Sequence, residues 1–150
     1  MNLDPRAKIY IAGHDGMVGS AIVRALKSQG ADKIVTRELH ELDLRNSQAV
    51  ENFFKLEKPE LVFLAAAKVG GIKINSMEPA SFLYDNIMIA ANVIHASYLH
   101  RVKKLCFLGS SCIYPRECPQ PIKEEYLMTG PFEPTNEGYA VAKFAGYKMA

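Results

Sequence analysis

Four short apolar runs punctuate the chain: Lys8-Ile9-Tyr10-Ile11-Ala12, Lys33-Ile34-Val35-Thr36, Leu61-Val62-Phe63-Leu64-Ala65 and Lys104-Leu105-Cys106-Phe107-Leu108. Runs this short, apolar throughout, predict strands buried on both faces. Between them the apolar positions take helical spacing. Val18, Ala21, Ile22, Ala25 and Leu26 predict a helix over 17–29, closed by Gly30. Asn46-Ser47 caps a second helix through Val50, Phe53, Phe54 and Leu56, which ends before Pro59. Pro79 opens a long helix through Phe82, Ile87, Ala90, Val93 and Tyr98, with proline at the tolerated first turn. Residues 113–137 hold most of the prolines and read as a loop; Gly138 to Ala150 begins another helix.

Strands alternating with helices predict an α/β fold: a Rossmann-type doubly wound parallel sheet, helices on both faces, with right-handed crossovers. The chain stops inside its last helix without a cap. The expectation is therefore an incomplete N-terminal dinucleotide-binding domain over residues 1–150, truncated before its last strands, with the substrate-binding domain absent from this sequence.

Composition narrows the setting. The chain is 49% hydrophobic and 23% charged with net charge +2, its acids and bases interspersed. That excludes a nucleic-acid tract and a polybasic membrane patch. No apolar run approaches the roughly 18 residues that span a bilayer. Met1-Asn2-Leu3-Asp4-Pro5-Arg6 lacks a signal-peptide core, so a cytoplasmic location is expected. Cys106, Cys112 and Cys118 are odd in number and evenly spaced, which fits neither a disulfide framework nor a zinc site. No metal is expected. Cys106 is expected in the core and Cys118 at the surface.

Candidate chemistry begins at Gly13-His14-Asp15-Gly16-Met17-Val18-Gly19, between the first strand and the first helix. Glycines there permit a tight turn, close approach to a pyrophosphate and close helix–strand contact, and the helix N-terminus faces the phosphates. The spacing is Gly-x-x-Gly-x-x-Gly, and glycines alone also fit a plain turn. His14 is read as a backbone contact. Arg37 stands at the end of the second strand, where an arginine favours the 2′-phosphate of NADP and a carboxylate favours NAD. Asp15 points the other way, since it would repel a phosphate. Ala65-Ala66-Ala67, at the end of the third strand, is small enough to let a flat cofactor pass.

Ser110, Ser111 and Cys112 follow the fourth strand, and ligands of open parallel sheets bind at such strand ends. Ser110 fits a hydrogen bond to a substrate carbonyl, and Ser111 fits a turn bond. Cys112 is either a small buried hydrophobe or a thiolate base for a proton alpha to a carbonyl. Tyr139 and Lys143 stand at i and i+4, on one helix face. A lysine there is expected to lower the tyrosine pKa from about 10, suiting Tyr139 to exchange a proton with an alcohol or ketone.

These segments resemble a known family. The glycine loop, Leu64-Ala65-Ala66-Ala67-Lys68-Val69-Gly70-Gly71-Ile72, Phe107-Leu108-Gly109-Ser110-Ser111-Cys112-Ile113-Tyr114-Pro115 and Glu133-Pro134-Thr135-Asn136-Glu137-Gly138-Tyr139-Ala140-Val141-Ala142-Lys143 look like the GDP-L-fucose synthases, which are extended short-chain dehydrogenase/reductases. The resemblance covers essentially the whole chain. Ser-Ser-Cys-Ile-Tyr-Pro is specific to that branch, whereas the glycine loop and Tyr-x-x-x-Lys are shared across the superfamily.

The resemblance implies NADPH-dependent 3,5-epimerisation and 4-reduction of GDP-4-keto-6-deoxy-D-mannose to GDP-L-fucose. It makes Cys112 the epimerisation base, Tyr139 the proton donor to the C4 oxygen and Ser110 that oxygen's partner. Lys143 would hold the nicotinamide ribose. NADP would lie along residues 13–19, with Asp43 and Leu44 at the adenine, Arg37 at the 2′-phosphate, and Ala65, Ala66, Ala67, Leu108, Gly109, Ser110 and Ser111 along its length. Asp15 departs from the family, which often has an arginine there. The resemblance also implies a histidine acid and a sugar-nucleotide domain that this sequence lacks, a GDP-sugar partner and a homodimeric parent, so residues 1–150 alone are expected not to turn over. The alternatives are an NAD-dependent sugar-nucleotide 4-epimerase or dehydratase, and a non-catalytic dinucleotide-binding module.

Overall fold

The computed structural model describes residues 4–150. Met1 to Leu3, the start of the stretch read for a signal peptide, lie outside the described residues. The elements run β1 (Lys8–Ala12), α1 (Met17–Ser28), β2 (Lys33–Val35), α2 (Ser47–Glu57), β3 (Leu61–Leu64), α3 (Ile72–Met77), α4 (Pro79–Leu99), β4 (Lys104–Phe107) and α5 (Glu137–Met149). Three predicted strands end one residue early, within the usual fraying of element ends. The short α3 was not expected from the sequence. Single 3-10 turns at Ser111–Ile113, Glu124–Tyr126 and Pro134–Asn136 interrupt the proline-rich loop.

All pairings are parallel, in the order β2-β1-β3-β4. Alternation along β1 divides the core. Tyr10 and Ala12 face α2 and α4, joining Phe53, Phe54, Val62, Leu64, Val93 and Ile94. Ile9 and Ile11 face α1, joining Leu26 and Ala31. Helices thus cover both faces, as expected.

β4 departs from the expectation. It is the edge strand among the described residues, and Cys106 is exposed rather than part of the core. Cys106 pairs in register with Phe63, which packs toward the α1 cluster. α1 lies over the β1 side of the sheet and leaves that face of β4 uncovered. Cys118, expected at the surface, is partly exposed.

α5 is held against α4 and β4 at two glycines. A Cβ on Gly138 would come within 2.5 Å of the Pro79 carbonyl oxygen. One on Gly146 would meet Phe107 at 2.5 Å and Ala90 at 3.2 Å. This close packing carries Tyr139 and Lys143 to the carboxyl end of the sheet. Among the described residues, no helix is long and apolar enough to cross a membrane.

Candidate active site

The order of strand addition reverses at β1, because the chain places β2 on one side of β1 and β3 on the other. Such a switch point opens a crevice at the strands' carboxyl ends. A cavity of about 770 Å³ lies there. Gly13, Asp15, Gly16, Met17, Val18 and Gly19 form one wall. Arg37, Asp43, Leu44 and Arg45 close one end, and Ala65 to Val69 lie along it. Leu108, Gly109, Tyr139 and Lys143 close the other end.

The glycine loop meets a steric demand. Gly13 has φ +78°, and a Cβ there would lie 2.7 Å from the Ala66 Cα and backbone nitrogen. A Cβ on Gly19 would collide with the Gly13 carbonyl. The loop therefore packs backbone against backbone, in a cradle that side chains would fill. Gly16 caps α1 without a side-chain bond, so the free N–H groups at the helix start remain available to an anion. His14 turns away from the cavity, into a smaller groove with Ser20, Arg24 and Thr36, and its Nδ1 is buried without a partner.

The far end carries a charge network that sequence reading did not find. Asp85 on α4 is buried and bonded by Lys68 (3.1 Å) and Arg45 (3.2 Å). Burial works to raise its pKa, and the bonds from Lys68 and Arg45 overcome that and hold it low. Arg45 also grips Asp43 at 2.8 Å, and its hydrogen bonds hold the Asp43 carboxyl below the usual range. The buried amide of Asn86 donates to the Lys68 carbonyl (3.0 Å) and accepts from the Lys68 N–H (2.8 Å). Asn92 donates to the Leu44 carbonyl at 2.8 Å. α4 thus fixes both loops that flank this end. The available signal was the polar pair Asp85-Asn86 inside an otherwise apolar helix, since buried polar groups rarely lack a purpose. Arg37 lines the cavity, but its guanidinium is paired with Glu57.

At the opposite end, Ser110 caps the single turn Ser111–Ile113. Its Oγ accepts from the Cys112 N–H at 3.4 Å and the Cys112 thiol at 3.0 Å, and Ser110 stands near enough to Tyr139 to pull its pKa down. Lys143 is buried, donates to the Leu108 carbonyl at 2.8 Å, and lies 4.8 Å from the Phe107 ring centre and 5.8 Å from that of Tyr139. Ser110, Cys112, Tyr139 and Lys143 therefore meet at the end of β4. Ser110, Ser111 and Cys112 stand beside the cavity rather than in its lining.

The electrostatics correct one expectation. Tyr139 is pushed above the ordinary tyrosine value, by burial first and by Cys112 second, with Ser110 pulling partly back. Lys143 is not among the groups that lower it; its ammonium donates to the Leu108 carbonyl. Burial depresses Lys143, and Cys112 works against that. Burial raises the Cys112 thiol, while Ser110, its own backbone and Lys143 pull it down. Lys143 is thus coupled electrostatically to the thiol. Burial thus favours the protonated form of both Tyr139 and Cys112. Among the described residues no cluster could hold a metal ion.

Residues 9–150 match the family model described as the NAD dependent epimerase/dehydratase family. The chain is 60% identical over 147 residues to a putative GDP-L-fucose synthase 2 of Arabidopsis thaliana, covering 98% of this chain and 45% of that protein. A GDP-mannoheptose C4 reductase from Campylobacter jejuni with NADP bound superposes with a TM-score of 0.95 at 47% identity, covering 99% of this chain and 47% of that one. A GDP-L-fucose synthetase from Naegleria fowleri bound to NADP superposes with a TM-score of 0.88 at 29% identity, covering 99% and 44%. The chain spans about 45% of the length of the curated relatives it matches.

Proposed function

Because the chain belongs to the NAD dependent epimerase/dehydratase family, we propose that residues 1–150 form the dinucleotide-binding part of an NADPH-dependent epimerase–reductase. Its reaction converts GDP-4-keto-6-deoxy-D-mannose to GDP-L-fucose, by epimerisation at C3 and C5 and reduction at C4. The observation that carries this reading is the bond from the Cys112 thiol to the Ser110 Oγ (3.0 Å) beside Tyr139, whose pKa both residues shift. A reductase without epimerisation needs the tyrosine and serine but has no use for the thiol. The GDP-L-fucose synthase relatives and the NADP-bound neighbours support the same substrate class and cofactor.

The residues present fit a dinucleotide. The cradle at Gly13 and Gly19 admits a pyrophosphate against bare backbone. Asp43, Leu44 and Arg37 line one end of the cavity, where the first two would meet the adenosine and Arg37 the ribose 2′-phosphate. Ala65, Ala66 and Ala67 leave room for the cofactor's length, and Lys143 reaches the nicotinamide ribose. Bound there, NADPH supplies the hydride that reduces C4. Cys112 removes the protons at C3 and C5, which the 4-keto group acidifies. Ser110 holds the C4 oxygen, and Tyr139 gives it a proton.

The substrate-binding domain and the acid partner of Cys112 belong to the full-length protein, which works in the cytoplasm as a homodimer. Exposed apolar residues on α4 and α5, among them Tyr84, Tyr98, Val141 and Tyr147, support the dimer. The test is incubation of full-length protein with NADPH and GDP-4-keto-6-deoxy-D-mannose, with the product identified by NMR. GDP-L-fucose is expected. A product reduced at C4 but unchanged at C3 and C5 would refute the epimerase half.

A further inference from the structure

Arg37 is not a free cation at the end of β2. Its guanidinium carries five N–H donors in a fixed plane. One nitrogen, Nη1, donates to the Thr36 carbonyl at 2.8 Å, and the other, Nη2, bonds Glu57 Oε1. The guanidinium carbon lies 5.4 Å from the Phe53 ring centre. Three groups from two parts of the chain thus fix one plane: the Thr36 carbonyl at the end of β2, and Glu57 and the Phe53 ring on α2. The Arg37 side chain still borders the cavity.

Glu57 would normally cancel the charge it holds. Here its second oxygen, Oε2, takes Lys8 Nζ from β1 at 3.3 Å. The three side chains carry a net charge of +1, with Lys8 balancing Glu57. The charge of Arg37 therefore remains available to a ligand in the cavity, while its orientation is fixed from behind. A bidentate anion benefits from such a pre-set fork, because less rotamer freedom is lost on binding. Asp15, on the glycine-loop wall of the cavity, supplies nothing to attract such an anion.

We infer that Glu57, itself held by Lys8, is the positioning residue that sets Arg37 to receive the 2′-phosphate of the dinucleotide and so determines the preference for NADPH over NADH. This rests on the NADPH reading above. Glu57 touches neither cofactor nor substrate and acts only through Arg37. Its effect is confined to the 2′-position, so it separates NADPH from NADH and leaves their shared parts alone.

The sign of the effect distinguishes positioning from simple charge. Removing an acid near a phosphate site should tighten NADPH if only net charge matters, whereas losing the brace should loosen it. The experiment titrates full-length protein with NADPH and with NADH, following fluorescence of the reduced nicotinamide, in wild type, Glu57→Met and Glu57→Gln. Glu57→Met is expected to weaken NADPH about fivefold and NADH less than about twofold. Glu57→Gln keeps a carbonyl acceptor for Arg37 and is expected to recover most of the loss. Circular dichroism checks the fold. If Glu57→Met melts below the assay temperature, Glu57→Gln decides alone, with about a twofold loss for NADPH and none for NADH. NADPH binding that is unchanged or tighter, or equal weakening of both cofactors, would overturn the role of Glu57. A wild type that binds the two cofactors alike would overturn the NADPH reading itself, and the role of Glu57 with it.

Discussion

Lys143 and Leu108 tie helix α5 to the end of β4: the buried ammonium donates to the Leu108 carbonyl at 2.8 Å. Tyr139 stands one turn earlier on the same helix face, so this bond sets the height of the phenol above the cavity. Ser110, bonded by the Cys112 thiol at 3.0 Å, stands beside that phenol and lowers its pKa in part. Under the proposed function these are the two proton-transfer groups, and single substitutions separate them.

Tyr139→Phe removes the proton donor and leaves the thiol. Reduction at C4 is expected to fall about 10²-fold or more. Exchange of the C3 and C5 protons with deuterated water should continue. Cys112→Ser should give the reverse: no exchange, with reduction of the 4-keto sugar retained. Steady-state NADPH oxidation and NMR of the recovered sugar measure the two steps separately.

The two steps should also respond differently to pH. A base works deprotonated, and burial holds the Cys112 thiol above its ordinary value. Exchange at C3 and C5 should therefore climb with pH through the neutral range, about tenfold per unit while the thiol is mostly protonated. An acid works protonated, and burial pushes Tyr139 upward as well. Reduction should therefore stay level over the same range and fall only in strong alkali. Single-turnover reduction and deuterium incorporation, measured across a pH series, provide the comparison.

Gly13→Ala places a methyl group 2.7 Å from the Ala66 backbone, at φ +78°. Both the contact and the dihedral oppose it, at an expected cost of about 2 kcal/mol in folding stability. The loop must also move away from β3, which opens the pyrophosphate cradle. Chemical denaturation should show the lost stability, and calorimetric titration should show NADPH binding reduced at least about tenfold.

Asp85→Asn removes the anion that joins Lys68 to Arg45. The loss is expected to be about 2 kcal/mol at neutral pH. The folded-state pKa of Asp85 is depressed, so its contribution is present above the unfolded carboxylate value, near 4, and fades as pH falls through the folded value. Wild type and variant should therefore converge in strong acid. Urea melts at neutral and acidic pH make the comparison.

The parts of the fold that depend on nearby residues were legible in the sequence. Lys8–Ala12 followed by three glycines announces a strand, a tight turn and a helix, and the backbone contact between Gly13 and Ala66 explains why side chains are excluded there. Tyr139 and Lys143 were legible as a pair because helical spacing alone brings them together. What the sequence concealed depends on distant partners. Cys106 sits in an apolar run, yet its exposure follows from β4 being an edge strand. Arg37 meets Glu57 across 20 residues, and Arg45 meets Asp85 across 40. The Tyr139 pKa reversed direction for a similar reason. Helical spacing placed a cation nearby, but burial and the neighbouring Cys112 decide the outcome.

Under the proposed function, NADPH bound in the cavity between β1 and β3 would give its hydride to the sugar carbon whose oxygen Tyr139 protonates. The most direct measurement uses full-length protein, GDP-4-keto-6-deoxy-D-mannose, and NADPH carrying deuterium at both C4 positions of the nicotinamide, in ordinary water. The account predicts GDP-L-fucose with deuterium at sugar C4 and hydrogen at C3 and C5. Sugar recovered without deuterium at C4, or a cofactor that keeps both labels while product forms, would contradict it.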